Sequence, residues 1–391
     1  MTPGMIFLVL AYVLSQFYRA FLAVLSPVLD ADIGATPEDL AMASGLWFAV
    51  FAAMQIPVGW ALDRIGPRLT SCVLLALGGA GGAAVMAMAQ GPGAVSAAMV
   101  LIGIGCSPVL MASYYILARD FSPAVFATGA GIILGTGSLG NIGAALPLAW
   151  AVETLGWRET MWGLAAVTLA VAAVLALTVH NPKTPEGGHK GSVLDLLKIR
   201  EMWAICAIMF VNYAPAAGIR GLWIAPYLGD IFGAGIGQIG TASLIMGLAM
   251  IAGNFCYGPL DRVFGTRKWV ILTGNLIAAV ACLTLWALPN QSAAFSIAAM
   301  AAIGFFGATF PVIIAHGRSF CPPHLVGRGV TLLNLFGIGG AGLMQFSSGP
   351  VFSRLSETAP PAMAYGQLFG LFGVLILAGC VVYLFSRDRL G

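Results

Sequence analysis

The sequence predicts an all-α membrane protein in which twelve transmembrane helices form two pseudo-symmetric six-helix bundles. Three observations carry that prediction. Of the 391 residues, 59% are hydrophobic and only 8% charged, far from the mix of a soluble globular domain. Apolar stretches of about 20 residues, the length that crosses a bilayer, recur along the whole chain. The second half also repeats the first at a shift of 199 residues.

The expected spans, in order, are 5–29, 39–62, 69–89, 95–118, 125–150, 157–179, 201–229, 238–260, 269–288, 293–315, 329–353 and 364–386. Nearly all charges fall between them. The opening MTPGMIFLVL has neither the basic start nor the small-residue cleavage pattern of a signal peptide, so it reads as a retained first helix. The 51 Gly and 21 Pro would break soluble helices. In membrane helices, small residues permit close packing and neighbouring helices satisfy freed backbone groups. The seven cysteines are scattered and have no C-x-x-C spacing, so neither a disulfide framework nor a zinc site is expected.

With the N-terminus taken as cytoplasmic, the inner loops hold Arg64, Arg68, Arg119, Lys183, Lys190, Lys198, Arg200, Arg262, Arg267, Lys268, Arg318, Arg328, Arg387 and Arg389, 14 of the 18 Lys and Arg. The outer side keeps Arg158 and Arg354, and Asp30, Asp32, Glu38 and Asp39 gather in its first loop. The positive-inside rule then places both termini in the cytoplasm. It also explains the net charge of +3 without invoking nucleic acid.

The repeat fixes the domains. Pro27 falls on Pro226, Ser44 on Ser243, Gly59 on Gly258, Gly66 on Gly265, Arg68 on Arg267, Gly105 on Gly304, Arg119 on Arg318, Phe121 on Phe320 and Pro123 on Pro322. Six crossings separate equivalent positions, so the halves are parallel repeats about an axis along the membrane normal. The bundles are 1–179 and 201–391. The polar, Pro/Gly-punctuated segment 180–200 is a cytoplasmic linker.

Between the second and third helix of each half stand GWALDRIGPR, from Gly59 to Arg68, and GPLDRVFGTR, from Gly258 to Arg267. A Gly, an Asp-Arg pair, then Gly and a basic residue, occurring twice in a twelve-helix chain, resembles the major facilitator superfamily over its whole length. The resemblance implies a carrier working by alternating access, two bundles rocking about a site near the bilayer midplane. It marks Gly59, Asp63, Arg64, Arg68, Gly258, Asp261, Arg262 and Arg267 as a conformational switch, in which the carboxylates and arginines cap helix ends and pair across loops. It implies neither cofactor nor enzymatic activity. The expected location is a bacterial inner membrane, as a monomer in the lipid bilayer.

Ionisable groups inside a span are costly and usually face a cavity or a partner. Arg19 and Arg220 are the two basic examples. In the first helix Tyr12, Ser15, Gln16, Arg19, Ser26 and Asp30 follow one stripe. In the seventh, Tyr213, Arg220 and Tyr227 recur every seven residues with Trp223 beside them, and Pro215, Gly218 and Gly221 loosen the helix. Two guanidiniums suit a small anion, because each holds a carboxylate or phosphate through paired hydrogen bonds. Among major facilitators this is most similar to the organic-anion and organophosphate carriers. Gln55 and its repeat partner Asn254, with Tyr114, Tyr115, Asn141 and Asn334, complete the candidate binding set. The repeat partner of Arg19 is Gly218, so the two arginines are not related by the repeat.

Trp47 is read as a packing or stacking residue, and His316 as a solvated histidine near the inner end of helix ten. Every Asp and Glu is expected at a helix end or in a loop, which disfavours coupling through a buried acid. A co-transported proton, a counter-anion or uniport all stay open. The alternatives are multidrug/proton antiport, copper import and a non-transporting sensor or enzyme. Against the first, GTGSLGNIGA from Gly135 has Asn141 where the efflux motif of the family has Pro. The second rests on Met246, Met250 and Cys256, soft ligands that suit copper, although packing is the commoner use of methionine. The third lacks any catalytic triad or phosphate loop.

Overall fold

The computed structural model describes residues 3–120, 123–182, 193–322 and 325–390. Lys183, Lys190 and the rest of 183–192 in the expected linker lie outside the described residues, as do Phe121 and the side chains of Pro123 and Glu38. The described residues form helices without strands, and twelve helical spans are long and apolar enough to cross a membrane. They are α1 (Pro3–Ala20), α2 (Met42–Arg64), α3 (Pro67–Ala87), α4 (Pro92–Leu117), α5 (Gly129–Leu155), α6 (Trp157–Thr178), α7 (Arg200–Phe232), α8 (Gly237–Phe264), α9 (Lys268–Ala287), α10 (Ala293–Arg318), α11 (Arg328–Thr358) and α12 (Pro361–Tyr383). This is a multi-pass membrane protein. The chain divides into two compact units, Met1–Lys190 and Gly191–Gly391.

In the first unit the expected span 5–29 is divided at Phe21 into α1 and a helix Leu22–Ile33. There the Val24 N–H turns to Phe21 O in an i→i+3 bond. Asp30 and Asp32, expected in a loop, lie on that second helix. It ends at Gly34, whose φ of 65° gives the left-handed turn a side chain would resist. The helix Pro37–Ala53 then starts on a capping box between Thr36 and Asp39. Between Leu22–Ile33 and Pro37–Ala53 only three residues remain as a connection.

Close helix approach accounts for the glycine-rich run in α5. A methyl group added at Gly137 would strike the Tyr12 ring, and one at Gly140 would lie against the Val13 carbonyl and the Phe17 N–H. These glycines let the short helix Leu139–Gly143 press onto α1.

In the second unit, prolines set the breaks. The α7 span consists of Arg200–Asn212, Ala214–Gly218, a π-helical turn Ile219–Trp223, and Ile224–Phe232. Pro215 offers no N–H to the preceding turn, and the helix is interrupted at Tyr213. In α10 the helices Ala293–Phe306 and Phe310–Arg318 are separated at Gly307–Thr309. Pro311 cannot donate to the carbonyl of Gly307, four residues earlier, so that carbonyl is free for other partners.

The expectation for one histidine is corrected. His316 is not solvated: it is fully buried, its Nδ1 2.7 Å from the Tyr383 hydroxyl and its Nε2 3.0 Å from the Arg387 carbonyl. Met246 and Met250 both pack on the space left by Gly304, while Cys256 further along α8 is exposed. The two thioethers fill a glycine notch, and the thiol does not join them there.

Candidate functional site

In the first unit, the candidate site centres on Arg19 in the last turn of α1. Its guanidinium carbon lies 5.0 Å from the ring centroid of Trp47, 5.4 Å from Phe51 and 5.9 Å from Phe48, all on α2. Trp47 and Phe51 stack at 4.9 Å and 23°, giving the cation a flat aromatic wall. The spacing 47, 48, 51 puts three rings on one side of α2. Among the described residues no carboxylate lies within 4 Å of this guanidinium. Its Nε and the indole Nε1 of Trp47 are buried without a hydrogen-bond partner, as are Ser15 Oγ and Gln16 Oε1 on the adjoining stripe of α1. An aromatic face holds the cation by its quadrupole and leaves the N–H edge of the fork for an oxyanion.

The other first-unit candidates divide. Gln16 Nε2 donates to the Tyr12 hydroxyl at 3.0 Å, so those two act as one group. Gln55 turns back to donate to the Phe51 carbonyl at 3.0 Å, supporting the aromatic wall. Tyr114 is buried, and Asn141 is half-buried on the helix Leu139–Gly143. Tyr115 belongs elsewhere: the Arg119 guanidinium sits 4.9 Å over its ring, and Arg119 in turn lies 3.9 Å from Asp63 in the α2–α3 motif.

In the second unit, Arg220 rides on the π-helical turn of α7, a distortion that often marks functional positions. Among the described residues no aromatic ring lies over it. Its neighbour is Gly247 of α8: a methyl group there would be 3.4 Å from Arg220 Nε and 3.6 Å from one terminal nitrogen. Arg220 Nε is buried and unpartnered, and so is Gln345 Oε1 of α11, whose amide nitrogen lies 3.3 Å from where a methyl on Gly221 would be. Trp223 instead spends its N–H on Ser348 Oγ at 3.0 Å and packs on Phe352 and Tyr365. Tyr213 packs on Phe310, Asn254 is half-buried, and Asn334 is buried with a partner.

The motif loops are wired differently in the two halves. In the first, Gly66 has φ 94°, and Asn181, beyond α6, accepts from the Arg68 N–H at 3.1 Å. Arg68 Nε donates to the Ala176 carbonyl at 2.5 Å. In the second, Asp261 pairs with Arg267 at 3.0 Å, while neighbouring Arg262 is exposed. Asp388, beyond α12, accepts from Thr266 Oγ1 at 2.5 Å and from the N–H groups of Arg267 and Lys268, both at 3.1 Å. Burial works to raise the Asp388 pKa, but these three hydrogen bonds outweigh it and hold the carboxyl below its ordinary range. Arg64 makes no ion pair among the described residues, and Gly59 and Gly258 are half-buried on their helices.

Sequence reasoning missed three features. Phe48 and Phe51 complete the Arg19 wall, and the aromatic spacing on α2 was the available signal. Gly247 makes room for Arg220 and occupies the repeat position of Phe48. Asn212, Asn275 and Thr309 form a buried polar cluster that no local motif announces.

Twelve apolar spans in two repeated halves, each with a Gly/Asp-Arg loop and an arginine set against apolar helices, define a class of polytopic membrane protein. The sequence profile of the Major Facilitator Superfamily matches residues 8–218 and 205–390, and the chain belongs to that family. It is 24% identical over 297 residues to the probable sulfoacetate transporter SauU of Cupriavidus necator. That match covers 68% of this chain and 65% of SauU, so the chain spans just under two thirds of that relative's length. It is 24% identical over 309 residues to the hexuronate transporter of Escherichia coli K12, covering 68% of each chain. It is also 24% identical over 368 residues to the methyl viologen resistance protein SmvA of Salmonella typhimurium, covering 88% of this chain and 69% of SmvA. Among solved structures, the proton:xylose symporter XylE superposes with a TM-score of 0.76 at 13% identity, covering 98% of this chain and 95% of XylE. The human organic anion transporter MFSD10 does so with 0.72 at 17%, covering 98% and 100%. At these identities the two structures speak for the fold alone.

Proposed function

We propose that this protein is a secondary carrier that moves a small organic anion, a carboxylate or phosphate-type solute, across a cytoplasmic membrane by alternating access. The observation that carries this reading is a guanidinium inside a span of each half, Arg19 and Arg220, each with a buried unpartnered Nε and no carboxylate within 4 Å among the described residues. Holding a cation in a membrane interior without a counter-charge costs several kcal/mol on the order of the insertion scales. An anionic solute that offsets this charge gains a strong charge-assisted fork. Relatives named for sulfoacetate and hexuronate support the same solute class. The charge bookkeeping of the loops supports cytoplasmic placement of both chain ends.

Export of lipophilic cations is the second reading, favoured by the SmvA match along 88% of the chain. Arg19 and Arg220 oppose it, since a cation would meet two uncompensated positive charges. The deciding experiment is flux in proteoliposomes with a panel of small carboxylates, sulfonates, phosphates and lipophilic cations. Uptake of an anion that falls about 100-fold in Arg19→Gln, as loss of a buried charge contact of about 3 kcal/mol implies, is the expected result. Undiminished anion flux in that variant, or movement of cations alone, overturns the proposal.

A further inference from the structure

We infer that the carried solute is a hydroxylated organic acid, recognised in each half by an arginine for its anionic group and a neighbouring glutamine, Gln16 or Gln345, for a hydroxyl. This names the solute class of the site proposed above and rests on that reading. In the first half Gln16 and Arg19 stand three residues apart on the continuous helix Pro3–Ala20. That spacing sets them on one face, with about 5–6 Å between their Cβ atoms. Gln16 is 7% exposed, and its Nε2 is spent on the Tyr12 hydroxyl at 3.0 Å. Its Oε1 is buried with no partner, and the Arg19 Nε beside it is equally unpartnered.

The second half reaches the same chemistry with other elements. Gln345 of α11 is 8% exposed, and its Oε1 too is buried with no partner. Its amide nitrogen lies 3.3 Å from where a methyl on Gly221 would stand, and Gly221 follows Arg220 on the π-helical turn. Both arginines are half-buried, so open space still reaches each of them. A shift of 199 residues takes Gln16 to Pro215 and Gln345 to Leu146. Each half therefore does without an amide where the other has one, so neither glutamine is a demand of the shared scaffold.

What such an amide oxygen can take follows from its lone pairs. It accepts and cannot donate, so it repels a second carboxylate and is satisfied by an O–H or N–H. A buried acceptor left empty is unfavourable, and an unsubstituted acid has no donor to fill it. An ammonium group has N–H to offer but would bring a further positive charge beside Arg19 or Arg220, where no carboxylate lies within 4 Å among the described residues. A hydroxyl is the donor that remains. The inferred class therefore leaves out simple fatty acids, amino acids and dicarboxylates without hydroxyls.

The test is thermal unfolding of the purified full-length protein with matched acids that differ only in their hydroxyls: glycolate and acetate, glycerate and propionate, gluconate and hexanoate. A ligand of the folded state raises Tm, and the concentration giving half the shift reports its affinity. In at least one pair the hydroxylated acid should act at about 10- to 100-fold lower concentration, the factor between a buried acceptor filled and one left empty. Gln16→Leu and Gln345→Leu should each shrink that ratio by about 10-fold, whereas a merely structural role would move both members of the pair alike. Equal action of the two members in every pair overturns the inference, and that comparison needs no variant to fold. If the shared shift is then lost in Arg19→Gln, the anion carrier stands and only the hydroxyl is removed. No shift from any of the acids also overturns the inference; a shift from lipophilic cations alone removes the anion reading beneath it as well.

Discussion

The two halves hold their arginines in opposite ways. At repeat-equivalent positions of α2 and α8 the first half has Trp47, Phe48 and Phe51, and the second has Met246, Gly247 and Met250. The rings take up the face of Arg19. The glycine withdraws side-chain bulk and leaves Arg220 room beside the α8 backbone. Loops and scaffold glycines keep the repeat while the surroundings of the two arginines depart from it, as the proposed carriage of an asymmetric solute would require. A guanidinium pinned by cation–π contacts is oriented before its ligand arrives; one set beside Gly247 on a π-helical turn has more room to move to meet it.

The largest effect that breaks this comparison should come from making the second half like the first. Gly247→Phe puts a ring where Arg220 now lies and should cut anion flux by roughly 10- to 100-fold, as overpacking of about 1–3 kcal/mol implies. Gly247→Ala adds a methyl only to ordinary van der Waals distance and should leave flux nearly unchanged. Uptake kinetics of the two variants, with folding checked by unfolding temperature, settle the point; similar loss in both would mean that room at Gly247 is not what matters.

Next in size is the aromatic wall. Trp47→Ala removes a cation–π contact of about 0.5–2 kcal/mol and should raise the concentration for half-maximal uptake about 3- to 30-fold. Met246→Ala, at the equivalent position of the second half, should disturb packing on Gly304 and lower Tm with less effect on apparent affinity.

The smallest effect concerns the loops. The first half closes its motif with neutral Asn181, the second with Asp388. Because the Asp388 carboxyl is held below its ordinary range, its stabilising contribution is present above the unfolded value of about 3.8 and lost as pH falls through the lower folded value. Asp388→Asn should therefore speed amide exchange at residues 266–268 at pH 7, with the gap to the native protein closing as pH falls below the ordinary carboxylate value of 3.8. Asn181→Asp carries no such expectation.

Much of the fold was legible because hydrophobic length and an internal repeat report the bilayer directly. Breaks were less so: Pro215, Gly218 and Gly221 announced a weak α7, but where the helix turns π depends on packing against α8 and α11. Both arginines stood out because a charge in an apolar run is conspicuous. Their surroundings did not, since Phe48 and Gly247 look like ordinary span residues until the helices are set side by side. His316 misled for the same reason: its place near a helix end suggests water, whereas Tyr383 and the Arg387 carbonyl fold over it. The Asn212, Asn275 and Thr309 cluster joins positions 34 to 97 residues apart, beyond the reach of any local pattern.

The central claim is that one uncompensated arginine in each half recognises an anion. It is tested most directly by the thermal shift that a transported carboxylate gives the native protein, Arg19→Gln, Arg220→Gln and the double variant. At about 100 times the dissociation constant the native protein should gain roughly 2.7 kcal/mol. Each single variant should lose most of that shift, and the double variant should lose little more than either alone. A full shift in both single variants would contradict the account.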